Sequence, residues 1–224
     1  MKKVITVLAG IIISASAFSQ LSIGAQGIGN LSSASLNTSD LVNPVKKARM
    51  LQGAGLVADY TFCKNTSLRS GVNFLQQGVK VESNSGVNTL KFEATTSLDY
   101  LQVPVQIVYS VPLAGFRLFA GAGGYYSFGI NGKTKLTTTT TLNNGNTQVT
   151  KEENDAFKKE SDGGSGFKRS DYGAGILAGV QLPDRFYIHA GYQLSFANIN
   201  SNDAGKYKNR SLQLTIGCFL WNSK

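Results

Sequence analysis

A chain of 224 residues with 25 glycines and 16% charged residues suits one all-β domain and is too long for a miniprotein. The formal charge of +9 does not mark a nucleic-acid binder, because no nucleic-acid motif accompanies it and most charges fall in polar connecting segments.

Residues 1–19 read as a cleaved secretory signal: Met1, Lys2 and Lys3 form a basic start, 4–13 an apolar centre, and Ala17-Phe18-Ser19 a small-x-small cleavage site. The apolar run is shorter than the roughly 20 residues a membrane-spanning helix needs. Cleavage leaves Gln20 first, which is not the Cys of a lipoprotein, and lowers the charge to +7 by removing Lys2 and Lys3. The expected organisation is a signal over 1–19 and one barrel domain over 20–224. Beyond the signal no apolar stretch approaches helical spanning length, so the exported chain is either soluble or crosses a membrane as a closed barrel.

Period-two alternation, the signature of β-strands, recurs eight times, over 20–31, 52–62, 67–81, 100–110, 116–130, 170–182, 185–198 and 209–221. The pair 100–110 and 116–130 is clearest. Leu101, Val103, Val105, Ile107 and Tyr109 share one face of the first, and Phe116, Leu118, Ala120, Ala122, Tyr126 and Phe128 one face of the second. The two runs have 11 and 15 residues, against roughly 5–6 in soluble sheets, with a turn at Pro112–Gly115 between them. Short turns follow the second, fourth and sixth strands, at 63–66, 112–115 and 183–184. Longer polar segments, 32–51, 82–96, 131–169 and 199–208, follow the others. That asymmetry is the pattern of an outer-membrane barrel, with turns in the periplasm and loops outside. Eight strands return both termini to the turn side.

A soluble eight-stranded barrel also alternates, but its outer face would carry many Lys, Glu and Asp residues. Here aromatics band the apolar faces: Tyr60, Phe62, Tyr109, Phe116 and Phe186 near the turns, and Tyr126, Phe128, Tyr172 and Phe196 near the loops. Smaller aliphatics such as Val105, Ile107, Leu118, Ile176 and Ile216 lie between. Two membrane interfaces select such girdles. The expected fold is therefore an all-β, eight-stranded, antiparallel up-and-down transmembrane β-barrel. Cys63, in a turn, and Cys218, on a lipid-facing position, belong to strands separated by the first, too far apart for a disulfide; both are expected as free thiols.

The segment Tyr-Leu-Gln-Val-Pro-Val at 100–105 resembles the Tyr-Leu-Glu-Ile-Pro-Leu strand of the small outer-membrane β-barrel family common in Bacteroidetes, the PorT-like barrels. Ser-Asp-Tyr-Gly-Ala-Gly-Ile-Leu-Ala-Gly-Val at 170–180 is similar to that family's Asp-x-Gly strand, and 208–217 to its closing strand. Gln102 replaces the usual Glu, and residues 222–224 extend past the usual aromatic terminus. The resemblance implies an eight-stranded outer-membrane barrel without implying one activity.

Candidate sites follow from strand parity. The lumen face carries Asp59, Arg69, Asn73, Gln77, Gln102, Gln106, Arg117, Asp171, Gln181, Gln213 and the lone histidine, His189. An eight-stranded barrel is only wide enough for side chains to fill, and buried charges need partners. These residues are therefore expected to form a polar plug, with Asp59 paired to Arg69 or Arg117, and not a channel. Ser195 lies about 20 Å along the strand from His189 at roughly 3.3 Å per residue, outside the reach a Ser–His pair requires. No catalytic, cofactor or metal site is expected, and a lipid- or peptide-cleaving barrel is disfavoured. Pro104, inside a strand, marks a bulge or bend.

Near the loop-end rim stand Lys46, Lys47, Arg49, Lys80, Lys91, Lys168, Arg169, Lys206, Lys208 and Arg210, candidate contacts for lipopolysaccharide phosphates. In segment 131–169 the Thr run is suited to extend a strand above the membrane. The expected function is a non-enzymatic structural or surface-interaction barrel in the outer membrane of a Gram-negative bacterium. Its partners are lipid, lipopolysaccharide, the assembly machinery during insertion, and envelope or secretion proteins; nucleic acid is not among them. The alternative, implied by the resemblance, is an accessory role in protein secretion or outer-membrane assembly.

Overall fold

The computed structural model describes residues 20–37, 44–84, 90–141, 146–183, 185–201 and 206–222. The signal expected over 1–19, Asp184 of the third short turn and the end of the extension past the closing strand lie outside them. Nine strands form one antiparallel sheet: β1 (Leu21–Asn37), β2 (Val45–Cys63), β3 (Thr66–Asn84), β4 (Leu90–Leu113), β5 (Phe116–Thr141), β6 (Thr147–Asp155), β7 (Ser170–Gln181), β8 (Phe186–Ser195) and β9 (Lys206–Asn222). The β4–β5 and β1–β9 pairings close eight of them into a ring, in which β5 is followed by β7. β6 stands outside the ring and pairs with β5 alone. Closure removes the sheet edges that hydrocarbon would leave without hydrogen bonds.

The outward face is apolar. Ile107, Leu118, Ile176, Leu214 and Ile216 are exposed there, with Phe62, Tyr109, Phe116 and Phe186 towards the turns and Tyr126, Phe128, Tyr172 and Phe196 towards the other end. A soluble protein rarely exposes so continuous an apolar surface; a bilayer covers it.

Every ring strand except β7 and β8 exceeds the alternating run that marks it, most of all β4 and β5, with 24 and 26 residues. A transmembrane strand needs about 9–11 residues, so their upper halves project beyond the barrel wall. The register slips by one residue between Asp99 and Tyr100, which pair with Asn131 and Gly129. The extra residue turns Gly129 and then Gly132 inward, reversing the odd–even alternation above it. Asp99 pins the bulge, accepting from Gln76 Nε2 at 3.0 Å and Asn131 Nδ2 at 3.2 Å. Above it the β3–β4–β5 ladder continues and β6 is added at its edge, a ledge in which the Thr run at 137–141 lies between β4 and β6.

Two smaller expectations are corrected. The bulge expected at Pro104 lies instead at Asp99/Tyr100; Pro104 stays in register opposite Tyr125, and Ser70 Oγ donates to its carbonyl at 2.8 Å. Proline's missing N–H breaks individual ladder bonds towards β3 without shifting the pairing. The turns are also tighter than expected. Lys64-Asn65 and Ala114-Gly115 suffice, the latter placing Gly115 at φ +90°, a conformation that favours glycine. Cys63 and Cys218 are free.

Candidate functional site: a lumen closed at two levels

Inward parity brings side chains from all eight ring strands into the lumen, where they form layers. Nearest the turns is a collar of Val57, Val108, Phe119, Leu177, Tyr187 and Phe219. Arg69 lies among its rings, with Cζ 4.8 Å from the centroid of Phe119, 5.3 Å from Tyr187 and 5.9 Å from Phe219. Asp59 stands directly opposite Arg69 across the β2–β3 ladder and accepts from Nε at 2.9 Å and Nη2 at 2.7 Å. Each cation–π contact is worth about 0.5–2 kcal/mol, so the rings and the carboxylate together replace the water the guanidinium gives up. Gly217 makes this packing feasible, because a Cβ there would run into the Tyr187 ring.

Above the collar the lumen is polar. Tyr187 OH donates to Gln26 Oε1 at 2.7 Å, and Gln26 Nε2 to Asn73 Oδ1 at 2.8 Å. Gln102 Nε2 donates to Gln193 Oε1 at 3.1 Å and Ser127 Oγ at 3.2 Å. The space left between Gln106, His189, Gln213 and their neighbours is a cavity of about 30 Å³, the volume of a single water.

Higher still, Asp171 is fully buried and accepts from Ser195 Oγ and from Asn209 Nδ2 at 2.8 Å. The loop end is capped by a second apolar cluster that includes Val79, Leu98, Tyr100, Ala156, Ile199 and Tyr207, with Phe157 and Phe167 packed on it. Gly129 and Gly132 leave the room that the Phe157 ring fills.

Of the lumen residues expected from parity, Asp59, Arg69, Gln102, Asp171 and His189 are buried and Gln106 is half-buried. One placement differs from expectation. Arg117 is exposed at the turn-end mouth and leaves Asp59 to Arg69. Arg185 stands at a turn with φ +71° and donates to Leu220 O at 3.2 Å. The inward aromatics Phe119, Tyr125, Tyr187, Tyr207 and Phe219 were missed, although strand parity already places Phe119 beside Arg117 on the inner face and Tyr187 beside His189. His189 stacks on Tyr187, with centroids 5.9 Å apart and planes at 7°, while Ser195 is committed to Asp171. No Ser–His pair exists among the described residues, and no group of acids, His and Cys there could hold a metal.

Eight of the ten rim cations fall into three groups, and Lys91 is exposed outside them. Lys47 and Lys80 are neutralised: Lys47–Glu82 is 2.7 Å, Lys80–Glu93 2.8 Å and Lys80–Glu82 3.2 Å. Hydrogen bonds from Lys47 and then Lys80 hold the Glu82 carboxyl below its usual range, and Glu93 and Glu82 raise the Lys80 ammonium. Arg49 and Arg169 make contacts within the protein. Arg49 donates to Thr96 O at 2.9 Å and to Ser97 Oγ. Arg169 donates to Gly129 O at 2.8 Å and stacks 4.9 Å from the Phe157 centroid.

Lys168, Lys206, Lys208 and Arg210 form the third group. Lys168 N donates to Ile199 O and Ile199 N to Tyr207 O, which ties the approaches to β7 and β9 together. Phe167 packs inward on Tyr207, so the alternating Lys168, Lys206, Lys208 and Arg210 face out. They have no ion-pair partner among the described residues. Lys46, also exposed, does make contacts within the protein.

The profile of the family described as outer membrane protein beta-barrel domain matches residues 16–201. Among solved structures, the chain is similar to neisserial surface protein A (NspA), with 14% identity over 89% of this chain and 99% of that one and a TM-score of 0.39. It is also similar to Ail, the attachment invasion locus protein of Yersinia pestis, with 15% identity over 88% and 98% and a TM-score of 0.33. No curated protein sequence matches the chain.

Proposed function

Because the chain belongs to the outer membrane protein beta-barrel domain family, we propose that it is a non-enzymatic barrel of the Gram-negative outer membrane that acts through its surface. In this reading the turns and both termini face the periplasm, and the ledge and the rim between β7 and β9 face outward. One observation carries it. The lumen is closed by an apolar layer at each end, with polar groups between them hydrogen-bonded to one another. Neither conduction nor chemistry on a diffusing substrate suits such an interior, which leaves the exterior.

Liposomes containing the refolded barrel should swell no faster in small sugars than empty ones; swelling comparable to a porin's would overturn the reading. On the exterior, Lys168, Lys206, Lys208 and Arg210 above the outward rings of Tyr172 and Phe196 suit lipopolysaccharide phosphates. Changing all four to Gln should reduce co-purified lipopolysaccharide, whereas unchanged co-purification would limit the function to the ledge. The resemblance at 100–105 to PorT-like strands favours a second reading, an accessory of secretion or outer-membrane assembly. Loss of exported enzymes on deletion of the gene would select it.

A further inference from the structure

β6 ends the ledge and pairs with β5 alone, so its other edge is open. Its ladder runs in unbroken register from Lys133↔Asp155 to Thr141↔Thr147, without the bulge or proline that commonly blunts an exposed edge. The open groups can be identified. One register step past Asp155, Ala156 N donates to Gly132 O at 2.9 Å. Even-numbered residues of β6 therefore bond β5, and the main-chain groups of odd-numbered ones point away. Asp155 O does so, accepting from Ser165 N at 2.9 Å. That leaves the N–H and C=O of Thr147, Val149, Lys151 and Glu153 as a row with no partner among the described residues.

This row is complementary to itself. A parallel second copy would set Lys151 beside Lys151 and Glu152 beside Glu152, and like charges across a ladder are destabilising. Antiparallel copies centred on Lys151 or Glu152 would do the same. Centred on Thr150, an antiparallel copy pairs Thr147 with Glu153 and Val149 with Lys151, each twice, while Gln148 faces Glu152 and Thr150 faces its own copy. No charge then stands directly opposite its own sign. All four open residues are used, giving about eight main-chain hydrogen bonds. Glu153 is already held by Lys133 and Lys135, and the exposed Val149 gains the Lys151 stem as cover. Ser165 closes the edge at Asp155, just below the level where the incoming strand ends with Thr147.

We infer that β6 is a homotypic adhesion strand: a second copy of this chain adds to it antiparallel, centred on Thr150, and joins the two ledges into one continuous sheet. The antiparallel sense sets the two barrels at opposite ends of that sheet, so the copies belong to apposed membranes. A single pairing need not be tight, because many act together between two surfaces. The pairing rests on the edge itself; that it bridges cells rests on the outward orientation proposed above.

The test begins in detergent micelles, with Cys63→Ser and Cys218→Ser as background because both thiols are free. Thr150→Cys falls in a non-hydrogen-bonded pair with Cα atoms about 4.5 Å apart, within disulfide reach. Thr147→Cys is also exposed but lies about 20 Å from its copy at roughly 3.3 Å per residue. Under mild oxidation the first should dimerise about tenfold faster than the second. Adding Val149→Pro to the first should remove that advantage, since it deletes an N–H of the open edge and spares those bonded to β5; unchanged amide-exchange protection of Thr150 and Glu152 checks that β6 stays in place. Equal rates from the two cysteines, no dimer, or a dimer indifferent to Val149→Pro with β6 protected would each overturn the inference. Two dye-labelled populations of Gram-negative cells expressing the unmodified barrel should then co-aggregate, and cells expressing Val149→Pro should not. A micellar dimer without co-aggregation would sustain the pairing and overturn the bridge between cells. Neither readout depends on whether the lumen conducts.

Discussion

Arg69 carries the most energetic residue-scale consequence. Its charge is buried, and breaking such a pair by removing one partner costs about 3–5 kcal/mol, whereas replacing both partners with apolar groups is often neutral. Asp59→Asn should therefore lower the unfolding free energy of the lipid-refolded barrel, read from urea titration, by that amount, and Asp59→Leu with Arg69→Met should recover most of it. A neutral Asp59→Asn would mean that the rings alone hold the guanidinium. Both side chains were placed on one face by parity, and their pairing follows from the hairpin that joins β2 to β3. The choice of Arg69 over Arg117 was not legible, because it depends on depth. Arg117 lies one residue inside the Ala114-Gly115 turn pair, at the mouth, and the collar that shelters Arg69 draws Phe119, Tyr187 and Phe219 from three distant strands.

At the scale of elements, the ledge is held by its backbone ladder and by charge at its foot. Glu153 sits opposite Lys135 and contacts Lys133 at 2.6 Å and Lys135 at 3.2 Å. Their hydrogen bonds, Lys133 first, hold its carboxyl below the usual range. A lowered folded-state pKa gives stability that is full above the unfolded value near 4.5 and is lost as pH falls through the lowered one. Amide-exchange protection over 147–155, corrected for intrinsic rate, should therefore drop about two- to fivefold on acidification below pH 4. The strand segment 116–130 should be unaffected, and Glu153→Gln should remove the pH dependence; protection independent of pH would leave the ladder alone responsible. The Thr run made an extended β5 legible. β6 was not, because its polar, charged sequence alternates without an apolar face, and only pairing with β5 makes it a strand.

For the whole molecule, closure at two levels means that either layer seals the lumen without the other. Phe119→Ala opens space in the collar yet leaves the Leu98–Ile199–Phe157 cap intact, so liposomes containing that variant should remain as tight as wild type. Leakage from the single variant would show the cap to be permeable and leave the collar as the sole barrier. Ring closure, strand number and the outward aromatic bands were readable from alternation and connector length, since both report directly on which side of the sheet a residue lies. The content of the lumen was only half readable. Parity identifies an inward residue, but whether its neighbours there are rings or amides is decided by partners from strands far away in sequence, as with Tyr187 and Gln26.

The one-residue slip at Asp99/Tyr100 has a consequence for how such a chain can change over time. Below it, an inserted residue keeps the wall in phase with lipid only where a bulge absorbs it, as Leu220 is absorbed opposite Ile23 and Gly24. Above it, the phase has already been reset once, and the extra residue is absorbed by side chains of β3, β4 and β5 alone. The β5–β6 hairpin thus rises from a joint, with β5 laddered to β4 on one side and to β6 on the other. A foreign hairpin grafted there, with Asp99, Gln76 and Asn131 retained, should inherit the membrane foundation unaltered, so that the exterior of this barrel can be rewritten without renegotiating its fold.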